Sequence, residues 1–145
     1  SIYGLEAILS HQQTGVSIAP GNSNIYLEAL KIHGGSGQGV RIGFGARDIK
    51  VHRSHIHHIG INAQGTAADA SSQAVGSAVV MEPGVRNISI TESKFRHIGN
   101  APIRAITADE MAGMIGLPAP EFFVDEATQT PGEEDAWWSP SNKMQ

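Results

Sequence analysis

Short runs of alternating apolar and polar residues recur along this chain with their apolar positions in register. The three longest copies span residues 24–33, 48–57 and 87–96. In each copy the alternation continues for a few residues, bends and resumes, which is the two-residue period of β-strands. Shorter apolar runs precede the copies at 16–18, 40–42 and 79–81. Because a unit this short cannot bury its own apolar side, we predict that successive copies stack on one another.

Two features locate the connections between these strands. A residue that tolerates left-handed backbone angles opens each copy, namely Asn24, Asp48 or Asn87. Equivalent positions are 24 residues apart from Val16 to Val40 but 39 residues apart from Val40 to Val79. The additional residues fall in 61–75, an Ala-, Ser- and Gly-rich stretch without periodicity. We therefore predict a loop that is inserted there between two strands.

The units Gly-Val-x-Ile, Gly-x-x-Asn-Ile-x-Ile and x-x-Ile-x-x-x-Gly recur across residues 15–106. This pattern resembles the parallel β-helix of the pectin-lyase-like superfamily, which includes pectate lyases, polygalacturonases and phage tailspike depolymerases. The resemblance implies an all-β, right-handed, single-stranded parallel β-helix of about three to four coils. It also implies an extracellular or virion-associated protein, although the first residues lack the basic flank and apolar block of a signal peptide.

The ends of such a β-helix expose unpaired strand edges, which proteins usually cover. The helical spacing of Ile2, Leu5, Ile8 and Leu9 predicts a short capping helix over 2–10. The capping-box pattern of 107–110 predicts a second short helix through Ile115. We therefore expect two regions. Residues 1–106 form the β-helix with its N-terminal cap and inserted loop, and residues 107–145 form a C-terminal cap and an irregular acidic tail.

Charge divides the chain in the same way. Residues 1–106 carry nine Lys/Arg against six Asp/Glu, whereas 107–145 carry one Lys against eight Asp/Glu. There is no cysteine, which excludes disulfides and thiolate metal sites. No apolar run approaches the roughly 20 residues of a membrane span. The tail contains apolar residues at 122–124 and at Trp137 and Trp138. These residues could seal the last coil, contact another subunit or remain loose. The two tryptophans could also stack on sugar rings.

Equivalent residues of successive coils lie about 4.8 Å apart in a parallel β-helix, so outward residues form columns. The second half of each repeat exposes Lys, His and Arg in two such columns, Lys31–His55–Lys94 and His33–His57–Arg96. This pattern is typical of a groove for an extended acidic polysaccharide, and equally of ordinary solvated strand faces. The residues expected to bind substrate charge are Arg41, Lys50, His55, His57, Arg96 and Arg104.

Two pairs are candidates for catalysis. Glu28 and His52 are neighbours in one column, where a carboxylate orients a histidine that acts as general base. Glu82 and Asp69 form the second pair, because tailspike-like relatives hydrolyse glycosides with two carboxylates. In pectate lyases the sheet that contains Arg41 and Arg104 here carries catalytic Arg or Lys and calcium-binding acids. The acids are absent here, so the sequence predicts no cofactor, and His55 and His57 lack a third ligand for a metal site.

Two hypotheses from different classes follow. The first is a polysaccharide-binding β-helix that, if it is an enzyme, is a polysaccharide lyase or a glycoside hydrolase. The second is a non-catalytic structural or assembly module, such as a virion or surface component or a piece of a longer solenoid, in a homotrimer or a larger assembly. Nucleic acid is disfavoured as a partner, because the net charge of the chain is −4 and the basic columns contain no stacking aromatic residues.

Overall fold

A computed structural model describes residues 2–9, 14–35, 37–59, 77–98, 102–108, 116–125 and 128. These residues are almost entirely β-strand and turn. The strands are β1 (Ile2–Tyr3), β2 (Glu6–Leu9), β3 (Thr14–Ile18), β4 (Ser23–Glu28), β5 (Lys31–Gly34), β6 (Gln38–Ile42), β7 (Arg47–His52), β8 (His55–Ile59), β9 (Val79–Met81), β10 (Arg86–Thr91), β11 (Lys94–Ile98), β12 (Ile103–Ala105) and β13 (Phe122–Val124). Within these ranges we find no helix with the length and apolar character of a membrane span.

The strands form three sheets in which every pair is parallel. Sheet A has the order β1-β4-β7-β10-β13, sheet B the order β2-β5-β8-β11, and sheet C the order β3-β6-β9-β12. The chain therefore passes through sheets A, B and C in turn and then returns to sheet A. In each sheet, a strand pairs with the strand that the preceding repeat contributes to the same sheet. This all-β, all-parallel arrangement in three stacked sheets is consistent with a parallel β-helix-like fold.

The strand register confirms the predicted columns. Ile25 pairs with Ile49 and Ile49 with Ile88 in sheet A. The same column ends at Phe122 of β13. Alternation along the strands sends every second side chain inward, and the interior consists mainly of branched aliphatic residues, with Met81, Phe95 and a few alanines. Burial of this apolar surface is the main force that holds the sheets together.

Residues with left-handed backbone angles stack at the corners between strands. Asn24, Asp48 and Asn87 have φ of 60°, 58° and 56°, as their residue types predict. A second column with positive φ, between sheets A and B, consists of Ala29, Arg53 and Glu92. Because a left-handed residue turns the chain sharply, a bend of two residues is enough to pass from one sheet to the next.

The inner side of the second corner carries a ladder of hydroxyl groups. Oγ of Ser54 accepts a hydrogen bond from N–H of Leu30 at 3.3 Å, and Oγ of Ser93 accepts one from N–H of Ser54 at 3.1 Å. Oγ1 of Thr128 continues the ladder by accepting from N–H of Ser93 at 3.2 Å. The Ser54 and Ser93 hydroxyls each donate to a backbone carbonyl, and the Thr128 hydroxyl donates to Oδ1 of Asp125 at 2.8 Å, so these buried polar groups are satisfied.

The predicted N-terminal capping helix is wrong, because residues 2–9 contain β1 and β2. Ile2 pairs with Leu27 of β4, and Glu6 pairs with Lys31 of β5. Gly4, with φ of 74°, makes the turn between the two strands and donates its N–H to the carbonyl of Glu28 at 3.0 Å. An open sheet edge offers backbone hydrogen bonds along its whole length, and these outweigh a helical spacing of apolar residues.

Among the described residues of the C-terminal region, 122–124 form the strand β13. β12 pairs with β9 in sheet C, so residues 103–105 continue the series of strands that begins with β3, β6 and β9. β13 pairs with β10, and Phe122 and Val124 pack against the core, so the 122–124 segment covers the last repeat in sheet A and is not irregular. Most of the predicted 107–115 helix, the 61–75 loop, and Trp137 and Trp138 lie outside the described residues.

Candidate functional site

The outward side of sheet B is the most basic surface among the described strands. Its two columns are in register as predicted: Lys31, His55 and Lys94 in one, and His33, His57 and Arg96 in the other. We call these six residues the basic face. The only acidic residue on the same side of sheet B is Glu6 of β2, whose Oε2 lies 3.1 Å from Nε2 of His33.

Imidazole rings stack along this face. The rings of His33 and His57 are parallel within 6° with centroids 4.7 Å apart, and the His55 ring lies 4.6 Å from that of His57. Beside them at the next corner, the His58 ring lies 4.6 Å from that of His97. Nδ1 of His57 and Nδ1 of His58 share a hydrogen bond at 2.7 Å. One of these two nitrogens must accept, so that ring is neutral.

Burial and crowding hold the central rings in their neutral form. Burial, reinforced by the neighbouring histidines, lowers the pKa of His57 to about 4. Burial also lowers the pKa of His55, and the charges of Arg96, Lys94 and Lys31 act in the same direction. Nε2 of His55 is buried and has no hydrogen-bond partner among the described residues. An anion placed on this face would meet the positive charges of Lys31, Lys94 and Arg96, which already act on His55.

His52 lies across the corner from the basic face, on the outward side of sheet A. Its Nδ1 forms a hydrogen bond with Oγ1 of Thr91 at 2.7 Å, and its Nε2 lies 3.8 Å from Oε2 of Glu92. Glu28 is directed instead towards Arg53, with 3.9 Å between Oε2 and Nη1. The predicted column of Glu28, His52 and Thr91 is therefore present, but the partner that orients His52 is the hydroxyl of the following strand.

The same side of sheet A contains an aromatic column. Tyr26, Lys50, Ser89 and Phe123 are in register across β4, β7, β10 and β13. Nζ of Lys50 lies 5.8 Å from the centre of the Tyr26 ring. Desolvation, together with a hydrogen bond to Glu28, raises the pKa of the Tyr26 phenol above its ordinary value. This column presents aromatic rings and donors to solvent.

Sheet C presents a different chemistry on its outward side. Arg41 forms a two-pronged ion pair with Glu82, in which Nε donates to Oε2 at 2.7 Å. The other carboxylate oxygen, Oε1, accepts from N–H of Phe44 at 2.9 Å. Both side chains are largely buried, and Arg104 on β12 is buried as well. The Glu82 carboxylate is thus committed to structure, and its proposed catalytic partner Asp69 lies outside the described residues.

The predicted site residues are distributed over three faces. His55, His57 and Arg96 lie together on the basic face of sheet B. Lys50, Glu28 and His52 lie on sheet A, whereas Arg41, Glu82 and Arg104 lie on sheet C. Because a single extended saccharide follows one face at a time, these residues form separate candidate sites. Within the ranges that the structure covers, no group of three or more His, Asp or Glu side chains converges as metal ligands would.

A cleft of about 500 Å³ on sheet A was not anticipated from the sequence. It opens beside the first residues of β7 and β10, and its lining includes Arg47, Arg86, Glu121 and Phe123. Arg47 and Arg86 are paired in register, so their equivalent repeat positions were the signal that could have revealed them. Phe123 could not be placed, because nothing in the repeat pattern indicates that 122–124 joins sheet A.

Comparisons with protein-family models, with curated protein sequences and with solved structures found no match to this chain. The fold and the side-chain geometry described above are therefore the basis for a functional proposal.

Proposed function

We propose that this protein is a polysaccharide-binding domain that holds an extended acidic polysaccharide along the basic face of sheet B. The observation that carries the proposal is the in-register placement of Lys, His and Arg on three consecutive strands of one face. We further propose that the fold is a right-handed parallel β-helix similar to those of phage tailspikes and polysaccharide lyases.

Charge spacing supports this choice of ligand. Successive strands repeat the same donors about every 4.8 Å, so an extended polymer with a regular series of carboxylates or sulfates meets equivalent groups on each strand. Lys94 and Arg96 are exposed at one end of the face, where they can contact solvent ligands. The single acid, Glu6, lies at the opposite end. Binding along the face would therefore have a direction, with the strongest attraction at β11.

Binding is tested by titration calorimetry with alginate, polygalacturonate and hyaluronan, and with neutral dextran as the reference polymer. The double variant Lys94→Gln/Arg96→Gln removes two charges from the basic face, and Arg47→Gln/Lys50→Gln removes two from sheet A as a matched control. We expect at least about a tenfold loss of affinity for an acidic polymer in the first variant and little change in the second. Absence of binding to all three acidic polymers, or an equal loss in both variants, would contradict the proposal.

Cleavage is a separate part of the proposal, with His52 as the candidate general base. Its Nδ1 is fixed by Thr91, and Glu92 lies near its Nε2, so the imidazole has a defined orientation. New reducing ends would indicate a glycoside hydrolase, and new unsaturated ends a polysaccharide lyase. His52→Ala should abolish either product while the variant remains folded. Unchanged turnover in this variant would exclude His52 as the base and leave a binding domain.

A second candidate, a structural or assembly module, is favoured by the open edge at β1 and β2. Tyr3 and Ile8 are 76% and 74% exposed there, beside the partly exposed Ile2 and Leu5. Apolar side chains along an unpaired strand edge are typical of a protein contact. Light scattering coupled to size-exclusion chromatography tests this candidate. A trimer that dissociates when Ile8 is replaced by Lys would support it, and a monomer at all concentrations would not.

A further inference from the structure

The outward side of sheet A contains a cleft that is separate from the basic face of sheet B. Its lining includes Ser89, a small residue that lies in register between Lys50 and Phe123, together with residues at the start of β7 and β10. The cleft of about 500 Å³ falls within the range that small-molecule sites occupy.

The charges around this cleft balance. Arg47 and Arg86 are paired in register on adjacent strands, and Asp48 and Glu121 also line the cleft. Two guanidinium groups and two carboxylates leave no net charge, in contrast to the basic face. Such a set offers several donors and several acceptors within a short distance. A neutral ligand with many hydroxyl groups satisfies both kinds of group, whereas an anion gains no net electrostatic attraction from a balanced set.

The polar groups are only partly engaged with one another. Oδ1 of Asp48 accepts from Nδ2 of Asn87 at 2.7 Å, and Nε of Arg47 lies 4.0 Å from Oδ2 of Asp48, beyond hydrogen-bond distance. Arg86 is exposed and has no ion pair within the described ranges. Its guanidinium is therefore available to a ligand, and Asp48 is fixed in position by Asn87.

One wall of the cleft is aromatic. Phe123 is 60% exposed although its neighbours Phe122 and Val124 pack against the core. The C–H face of a sugar ring is apolar and stacks on an aromatic ring, while the hydroxyls at its rim reach polar groups. An exposed aromatic ring that shares a cleft with a guanidinium and a carboxylate is therefore suited to a pyranose unit.

We propose that the cleft between Arg86, Glu121 and Phe123 binds a neutral hexopyranose unit, stacked on Phe123. The Arg86 guanidinium donates to ring hydroxyls, and the Glu121 carboxylate accepts from them. This site lies on sheet A and is separate from the basic face, so it does not depend on the binding of an acidic polymer to sheet B.

The test is saturation-transfer NMR with the methyl glycosides of glucose, galactose and mannose, and with glucuronate as the anionic reference. Phe123→Ala and Arg86→Gln remove the stacking ring and the donor. Phe44→Ala and Arg96→Gln are matched controls, because Phe44 is another exposed aromatic residue and Arg96 belongs to the basic face. Thermal unfolding of each variant verifies that it is folded, as expected for exposed side chains.

We expect saturable binding of at least one methyl glycoside, with an affinity about tenfold lower in both cleft variants and unchanged in both controls. Three results would overturn the proposal: no saturable binding of any of the three glycosides, unchanged binding in Phe123→Ala, or tighter binding of glucuronate than of every neutral glycoside.

Discussion

The hydroxyl ladder inside the second corner and the histidine stack on the basic face are built by the same repeat with opposite energetic results. Ser54 and Ser93 are buried, and each donates and accepts a hydrogen bond. The stacked imidazoles crowd one another, the pKa of His57 falls to about 4, and Nε2 of His55 has no partner among the described residues. The contribution of its hydrogen bonds to stability explains why the ladder is present. Stability does not explain the histidine stack, whereas a ligand that binds on the basic face would explain it.

The largest effect expected is on the ladder. Ser54→Ala leaves the buried N–H of Leu30 without an acceptor and removes the bond to the carbonyl of His52. Loss of one partner from a buried hydrogen bond destabilises by about 1–3 kcal/mol, and we expect about 2 kcal/mol in urea unfolding. Ser89→Ala, on the outward side of β10, is the matched control and should change stability by less than about 0.5 kcal/mol. Equal effects in the two variants would show that the ladder makes no special contribution to stability.

The next effect concerns the end of the ladder. The Asp125 carboxylate accepts from N–H of Glu92 at 3.1 and 3.2 Å and from Oγ1 of Thr128 at 2.8 Å. It thus takes the place that a carbonyl of the next strand occupies in the earlier repeats. We expect Asp125→Ala to lower the free energy of unfolding by about 1–2 kcal/mol. Glu121→Ala in the same segment is the control, and a similar loss there would show that Asp125 has no special role.

The histidine stack should make stability depend on pH. The pKa of His57 is about 4 in the folded protein and 6.5 in the unfolded chain, so between these values the unfolded chain binds more protons. Stability is therefore complete above about pH 6.5 and declines as pH falls towards 4. Because the ring is partly solvated, we expect a decline of only about 1 kcal/mol. His57→Gln should flatten this profile and Arg47→Gln should not. A wild-type profile that is flat over this interval would contradict the lowered pKa of His57.

The smallest effect is expected at Arg53, which shares its turn with Ser54. Arg53 precedes Ser54, points outward, and lies 3.4 Å from Oε1 of Glu92. Exposed ion pairs contribute little, so we expect Arg53→Gln to change the free energy of unfolding by less than about 0.5 kcal/mol. Adjacent residues of one turn would then differ at least about fourfold in their contribution. A loss from Arg53→Gln as large as that from Ser54→Ala would mean that the outer ion pair, and not the inner ladder, holds the corner.

The repeat allowed much of the fold to be predicted, since alternation determines which side chains face inward and equal spacing determines which residues are neighbours. The columns, the Ser54–Ser93 stack and the Arg53–Glu92 contact all follow from these two rules. The ends could not be predicted in the same way. β1, β2 and β13 have few repeat signals of their own, and their structure depends on the backbone hydrogen bonds of an existing sheet edge.

Side-chain partners were harder to predict than positions. Glu28 and His52 are neighbours in register, but the rotamers direct Glu28 to Arg53 and His52 to Thr91. Glu82 pairs with Arg41, which is its diagonal neighbour on the adjacent strand β6. Equivalent residues in a column lie about 4.8 Å apart, whereas a hydrogen bond requires two heavy atoms about 3 Å apart in a suitable orientation. The sequence does not determine that orientation.

The central claim, that the basic face binds an acidic polysaccharide, is tested most directly by NMR of the imidazole nitrogens. Long-range proton–nitrogen spectra report on each ring while polygalacturonate or alginate is added, with neutral dextran as the reference. The account predicts saturable shifts of the His33, His55 and His57 resonances and a rise in the pKa of His57, with His52 unaffected in the absence of cleavage. Shifts confined to His52, or no saturable shift in any of the basic-face rings, would contradict it.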